Sequence, residues 1–508
     1  MSPRTLELPF VLQAQGCAGR VAVADAAGVH TYDALLAASG RVAAALLQGR
    51  QDLAEARIAF LVVPGFAWVA TLWGIWRAGG VAVPLALSAA RPELEYALAD
   101  TAAEALLWDE ANAETAAPLA AALHLRGGGF EQLVGAEPPE ALPAVAEGRR
   151  AMILYTSGTT SRPKGVVTTH ANLQAQITSL IAAWEWTADD RTVLCLPLHH
   201  VHGIVNVVSC ALWAGARVEM LAKFDAVGIW QRMQRGELTL FMAVPTIYVR
   251  LIAAWEAADE ATRQAWSAAA HRLRLMVSGS AALPVSTLER WRELTGQTLL
   301  ERYGMTEIGM ALSNPLHGER RAGSVGMPLP GVQVRLAAED GSAVLSEGTP
   351  GEIEVRGANV FLEYWRRAEA TQEAFRDGWF RTGDTAVVED GRYRILGRTS
   401  IDILKTGGHK VSALEIEEVL REHQSIAECA VVGLPDAEWG ERICAVVVLH
   451  PGQQLELDAL RGWGRERLTA HKLPTRLLVL PQLPRNAMGK VVKPEVTRLV
   501  VAAEDTGR

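Results

Sequence analysis

The run Ala151-Met-Ile-Leu-Tyr-Thr156 is followed at once by Ser157-Gly-Thr-Thr-Ser-Arg-Pro-Lys-Gly165. A short apolar, β-prone segment ends in a turn made of hydroxyl side chains, a glycine and a lysine, so a buried strand delivers a polar loop to its own end. Such a loop gathers main-chain N–H groups, O–H donors and a cation, which together suit a triphosphate. Thr156, Ser157, Gly158, Thr159, Thr160 and Lys164 are the candidate phosphate ligands. The loop is not a Walker A motif, because Lys164 is followed by Gly165 rather than by Ser or Thr. Isolated Ser/Thr/Gly loops are most often solvated turns, and it is the ordered Arg-Pro-Lys-Gly ending that favours phosphate.

Outward from this strand, β-rich runs alternate with helical stretches between about residues 57 and 307: RIAFLVV, VAVPL, AEALLW, TVLCLPL, ARVEML, LTLFMAV and LRLMVSG, with helices expected over Phe66–Arg77, Ala171–Ala183 and Val285–Leu294. This alternation predicts an α/β fold with largely parallel sheets covered by helices. After Gly323 shorter strands and turns follow, including an Asp390-Gly391 hairpin signal, and predict a β-rich lobe. Beyond Arg398 come a Gly-Gly turn, a helix over Ala413–Glu422, the strands AECAVVGL and RICAVVVL and a helix over Leu457–Leu468, a smaller α+β pattern. The expected division is a large domain of residues 1–397 and a small one of residues 398–508.

The 508 residues carry a net charge of −8, with 49% hydrophobic and 21% charged residues. This balance argues against nucleic acid or an anionic membrane as the partner. The apolar stretch Gly65–Leu87 is interrupted by Arg77, Gly79 and Gly80, so it reads as a buried helix and strand rather than a membrane span. Five scattered cysteines without metal-ligand spacing, and an N-terminus without a secretory pattern, favour the cytoplasm. Only 7 lysines stand against 42 arginines, and Lys164, Lys405, Lys410 and Lys490 fall in glycine-containing motifs. A chain that uses arginine for ordinary surface charge keeps lysine where a compact ammonium is wanted.

These motifs, in this order, resemble the adenylate-forming superfamily of acyl-CoA synthetases, luciferases and peptide-synthetase adenylation domains, over nearly the whole chain. The Tyr155–Gly165 loop resembles its phosphate loop, and Arg302-Tyr-Gly-Met-Thr-Glu307 its adenine and magnesium motif. The resemblance implies that Tyr303 lies near adenine, Thr306 meets the α-phosphate and Glu307 ligates Mg²⁺, a hard cation suited to carboxylate oxygen. Ser280, Glu301, Arg302 and Gly304 join the implied nucleotide site. Thr382-Gly-Asp384 resembles the ribose motif, where Asp384 accepts bonds from vicinal hydroxyls, and Gly397-Arg398 opens the hinge, with Arg398 reaching the nucleotide. Pro484-Arg-Asn-Ala-Met-Gly-Lys490 resembles the catalytic-lysine motif, Lys490 bridging carboxylate and phosphate. ATP and CoA are the implied co-substrates. The small domain is expected to swing about the hinge after adenylation, pivoting at Thr399 or Ser400, so that Gly407, Gly408, His409 and Lys410 line the thiol entrance.

Leu299–Gly326 and Gly397–Glu417, with Ser278–Pro284 and Val244–Arg250, resemble malonyl-CoA synthetases in particular. A dicarboxylate keeps a second negative charge in the pocket, and an arginine fork offsets the cost of burying it. By resemblance Arg250 is the candidate, with His202 and Ser278 adding hydrogen bonds and Met305 near the α-carbon; methylmalonate is a possible second substrate. A short- or medium-chain fatty acyl-CoA synthetase would share every ATP motif and differ only in this pocket, and an Arg250 facing solvent would favour it. A non-catalytic acyl or nucleotide binder would be expected to have lost one of Lys164, Glu307, Asp384 or Lys490. Transfer to a carrier protein in trans is an alternative to free CoA.

Overall fold

The computed structural model describes residues 7–138, 141–156, 163–485 and 491–505. The strand Arg150–Thr156 lies inside a seven-stranded sheet in the order Glu363–Tyr364, Lys164–Thr169, Arg150–Thr156, Val81–Pro84, Arg57–Leu61, Ala105–Trp108, Arg126–Gly129. The pairs from Arg150–Thr156 to Arg126–Gly129 are parallel. Lys164–Thr169, not anticipated as a strand, returns antiparallel on Arg150–Thr156 and pairs Thr156 with Lys164. The phosphate-type loop therefore closes a hairpin, whose register fixes the two residues flanking it.

The apolar stretch after Gly65 forms the helix Phe66–Arg77 and the strand Val81–Pro84, both buried. Trp76 Nε1 donates to Ala151 O at 2.8 Å, tying that helix to the start of the loop-bearing strand. Among the described residues no helix is long and apolar enough to cross a membrane.

A second sheet runs Leu240–Ala243, Leu275–Ser278, Leu300–Met305, Gly309–Ser313, Met327–Pro328. Its first three strands are parallel, so their C-terminal ends bring residues near Val244, Gly279 and Thr306 to one edge. A third sheet joins Gly28–Thr31, Val21–Asp25, Arg217–Met220 and Arg191–Leu194. The expected β-rich lobe is built from Val332–Ala337, Gly351–Gly357, Trp379–Glu389 and Arg392–Arg398, all antiparallel.

Past Ile403 the chain builds its own sheet. Alternate residues of its strands feed two separate hydrophobic clusters: Val431, Ala445 and Val447 face Ile416 and Leu420, while Ala430, Val432 and Val446 face Val496 and Val500. The helices here end earlier than expected, at Leu420 and Gly464. The Gly-Gly pair forms the turn of the hairpin Ile403–Thr406/His409–Ser412, with positive φ at both glycines, the backbone of a type I′ turn.

Candidate active site

Arg302-Tyr-Gly-Met-Thr-Glu307 runs off the strand Leu300–Met305 into the turn before Gly309–Ser313. A Cβ on Gly304 would lie 2.0 Å from Gly309 O, so only glycine permits this close return. The turn sends Glu307 into the interior, where Oε1 accepts the Tyr364 hydroxyl at 2.9 Å. Burial raises the Glu307 carboxyl above its ordinary range, and the Tyr364 bond opposes that shift. Lys164 Nζ lies 4.9 Å from the centroid of the Tyr364 ring. Lys164, Tyr364 and Glu307 thus form a line from the loop hairpin to the turn.

Tyr303, from the same strand, donates to Asp384 Oδ2 at 2.6 Å. Arg398 Nη1 reaches Asp384 Oδ1 at 3.2 Å and also Thr382 O. Residues 81 and 14 positions away in sequence therefore converge on the Asp384 carboxylate. The charges of Arg398 and Asp384 are both felt at Glu307, so this triangle adjoins the Lys164 line.

A third group sits at the strand ends. Arg302 is 3% exposed, and its Nη2 donates to Ser280 Oγ at 3.2 Å. His202 Nδ1 lies 3.1 Å from the same hydroxyl. Gly279 makes room for the guanidinium, since a Cβ there would meet Arg302 Cζ at 2.5 Å. Ser280 itself is a non-glycine residue at φ +71°. Among the described residues no carboxylate pairs with Arg302, and burial alone lowers it to about 9. Its Nε, Ser278 Oγ and His202 Nε2 are buried without hydrogen-bond partners. His202 is held well below its ordinary pKa, first by burial and then by Arg302, so it is neutral. It opens a π-helix, His202–Ser209, an element with no clear sequence signal and one often found at functional sites. Glu301, next to Arg302, is buried and pushed up to about 8, with one oxygen unpartnered.

Arg250, by contrast, is exposed on the helix Pro245–Ala257. Met305 and Thr306 are half-buried at the strand end. Ser157, Gly158, Thr159, Thr160 and Lys490 lie outside the described residues. Gly407, Gly408, His409 and Lys410 are exposed at the hairpin turn. Gly407 N donates to Trp439 O at 2.9 Å and His409 stacks on His471 at 4.3 Å. Sequence reasoning did not find Tyr364, Trp439 or His471. Each lies far in sequence from its partner, and only the fold joins them.

The model of the AMP-binding enzyme family matches residues 10–365, and that of the AMP-binding enzyme C-terminal domain residues 415–490. The chain is 45% identical to the malonate–CoA ligase ACSF3, mitochondrial, of Mus musculus, over 97% of this chain and 90% of that protein. It resembles ATP-bound MatB from Rhodopseudomonas palustris with a TM-score of 0.89 and 34% identity, covering 97% of this chain and 98% of that one. For apo MatB from the same organism the TM-score is 0.80 at 33% identity, with the same coverage of both chains. The chain belongs to the AMP-binding enzyme family.

Proposed function

We infer that this chain is an ATP-dependent malonate–CoA ligase, converting malonate, ATP and CoA to malonyl-CoA, AMP and pyrophosphate through a malonyl-adenylate. The observation that carries the choice of acid is Arg302: a cation buried at the strand ends, held by a serine hydroxyl and lacking a carboxylate partner among the described residues. An unpaired buried charge is costly, and a dicarboxylate bound there would supply the missing anion. The similarity to malonate–CoA ligases supports the same reading. Ser278, Ser280 and neutral His202 then offer hydrogen bonds around that carboxylate, and Met305 limits the α-carbon. Arg250, exposed in this arrangement, is the second candidate.

In the first step an oxygen of the other malonate carboxylate attacks the α-phosphorus of ATP, and the bond to the β-phosphate bridging oxygen breaks as pyrophosphate leaves. Lys164, Thr156 and the loop residues Ser157, Gly158, Thr159 and Thr160 hold the departing phosphates, and Lys490 and Thr306 offset charge at the reacting phosphorus. Asp384 receives the ribose hydroxyls, Arg398 steadies Asp384, and Tyr303, Gly304, Glu301 and Arg302 shape the nucleotide pocket. A buried carboxylate in line with Lys164 fits Mg²⁺, which takes few protein ligands when substrate phosphates supply the rest; Glu307 would hold it, oriented by Tyr364. When bound, the ion neutralises phosphate charge. In the second step the CoA sulfur attacks the acyl carbon and AMP leaves.

The sulfur needs the space that Lys490 takes in the first step, so residues 398–508 act as a domain that turns against residues 1–397. Thr399 is tied to the β-rich lobe through Gly383 O at 2.9 Å and the Thr385 hydroxyl at 2.8 Å. Asp402 is tied to the other side through Lys493 at 2.5 Å and back to Arg398 N at 2.9 Å, so the turn falls between Thr399 and Asp402 and Ser400 is the proposed pivot. The higher TM-score to ATP-bound than to apo MatB supports reading this arrangement as the acid-activating one. Gly407, Gly408, His409 and Lys410, with Trp439 and His471, then line the CoA entrance after the turn. Free CoA rather than a carrier protein is the proposed acceptor, and a reducing compartment such as the cytoplasm suits the free cysteines.

The test is pyrophosphate release with ATP, Mg²⁺ and CoA across malonate, methylmalonate, acetate and octanoate, in the wild type, R302M and R250A. Malonate leading in the wild type and losing its lead in R302M is the expected result. A monocarboxylate leading in the wild type would refute the malonate reading. Loss of the malonate lead in R250A alone would move the distal carboxylate to that arginine.

A further inference from the structure

The helix Val285–Thr295 begins without a cap of its own: Pro284 occupies the N-cap position, offers no side-chain acceptor and has no N–H. A helix start without a cap leaves its first N–H groups short of partners. Here Val285 N donates to Glu418 Oε1 at 2.7 Å. Glu418 belongs to the helix Ala413–Leu420, on the far side of the hinge. Its second oxygen accepts Arg421 at 2.8 Å, which fixes the carboxylate's direction. The residue before the proline is held from the near side, Leu283 N lying 3.4 Å from Glu301 Oε1. The turn Leu283–Val285 therefore hangs between two acidic side chains, one from each side of the hinge. That turn closes the loop carrying Ser280, which accepts from the Arg302 guanidinium.

We propose that Glu418 is a positioning residue for acid activation: it is a helix cap lent by the small domain to the helix behind the acid pocket. This inference rests on the reading of the chain as an acid-activating ligase whose small domain turns. In the present arrangement the lent carboxylate completes the helix start and holds the 278–284 loop in register with Arg302. A turn about residues 398–402 withdraws Glu418, uncaps the helix and slackens the pocket loop as the acyl group passes to the thiol. The ion pair between Lys410 and Glu339, at 2.5 Å, also spans the two sides, but both partners are solvent-exposed and such pairs hold little. The cap is the cross-hinge contact that bears on the pocket.

The experiment uses the full chain as wild type, E418A and the double variant E418A/P284D, in which the aspartate gives the helix a cap from its own domain. Three quantities are read: amide hydrogen exchange over residues 285–288, malonate-dependent ATP–pyrophosphate exchange, and single-turnover transfer from enzyme-bound acyl-adenylate to CoA. In E418A the amides lose protection, pyrophosphate exchange falls by about tenfold, the scale of one charge-assisted cap, and transfer to CoA keeps its rate. The double variant recovers both amide protection and pyrophosphate exchange. Unchanged amide protection in E418A, equal loss in the two half-reactions, or no recovery with P284D would each overturn the proposal. Wild-type enzyme that ignores malonate while E418A still deprotects the amides would sink the choice of acid and leave the lent cap standing.

Discussion

The Tyr364 hydroxyl donates to Glu307 Oε1 at 2.9 Å, across 57 residues of sequence. Burial favours the protonated form of Glu307, and this bond favours the carboxylate. Activity that needs the carboxylate falls as pH drops through the Glu307 pKa. Y364F removes the opposing bond, so that pKa rises further and the acid limb of the kcat/KM profile for ATP moves to higher pH. The two profiles converge at alkaline pH. A pH–rate profile with ATP well below KM checks this, and an unmoved limb would take Glu307 out of the titration.

Asp384 has one oxygen on Tyr303 and the other on Arg398. D384N is expected to raise the KM for ATP by about 10- to 100-fold, since bonds to a charged acceptor are lost. Y303F leaves Arg398 in place and raises it by only about two- to fivefold. Initial-rate kinetics with ATP varied separate these cases, and equal effects would mean that the tyrosine hydroxyl, not the aspartate, organises the ribose end.

Lys493, half-buried on the last helix, bridges Asp402 at 2.5 Å and Glu417 at 2.7 Å. Burial lowers its pKa, but the two carboxylates outweigh that and hold it raised. Its contribution to stability is therefore present at neutral pH and below, and is lost only as pH climbs through the raised value. K493M takes the cation from two carboxylates that keep other partners, Arg398 N–H on Asp402 and Arg421 with Val431 N–H on Glu417, and should cost about 1–3 kcal/mol. K493M/D402N/E417Q should regain most of it, as read by urea unfolding at pH 7.

Glu301 is buried, raised to about 8 from an ordinary 4.5. The folded state prefers the neutral acid, so stability from this position is full below pH 4.5 and is lost as pH rises through about 8. E301Q, permanently neutral, should match the wild type in Tm near pH 5 and exceed it at pH 9. Parallel Tm curves across that range would count against a buried neutral carboxyl.

The elements legible in the sequence are those whose chemistry is contiguous. The strand Ala151–Thr156 with its polar turn, the Thr382-Gly-Asp384 corner and the Gly407-Gly408 turn each carry their signal within a few residues. Arg302 was read only as part of a nucleotide motif. Leu300, Glu301, Arg302 and Tyr303 are all buried, so the strand lacks the alternation that separates inward from outward positions. Arg250 was favoured for the acid by resemblance, and its exposure is a property of packing that no local pattern reports. The Tyr364–Glu307 bond, the π-helix at His202 and the Glu418 cap depend on contacts across the fold; Glu307 lay in a motif, whereas Tyr364 and Glu418 lay in none.

Ser280 holds its hydroxyl between His202 and Arg302 at the cost of a backbone at φ +71°, a conformation glycine adopts freely. S280G would relieve that strain while abandoning the hydroxyl that aims the guanidinium. If Arg302 receives the distal carboxylate as proposed, the less comfortable residue trades robustness for discrimination among acids. A selection for heat tolerance alone would erode that discrimination first at this serine.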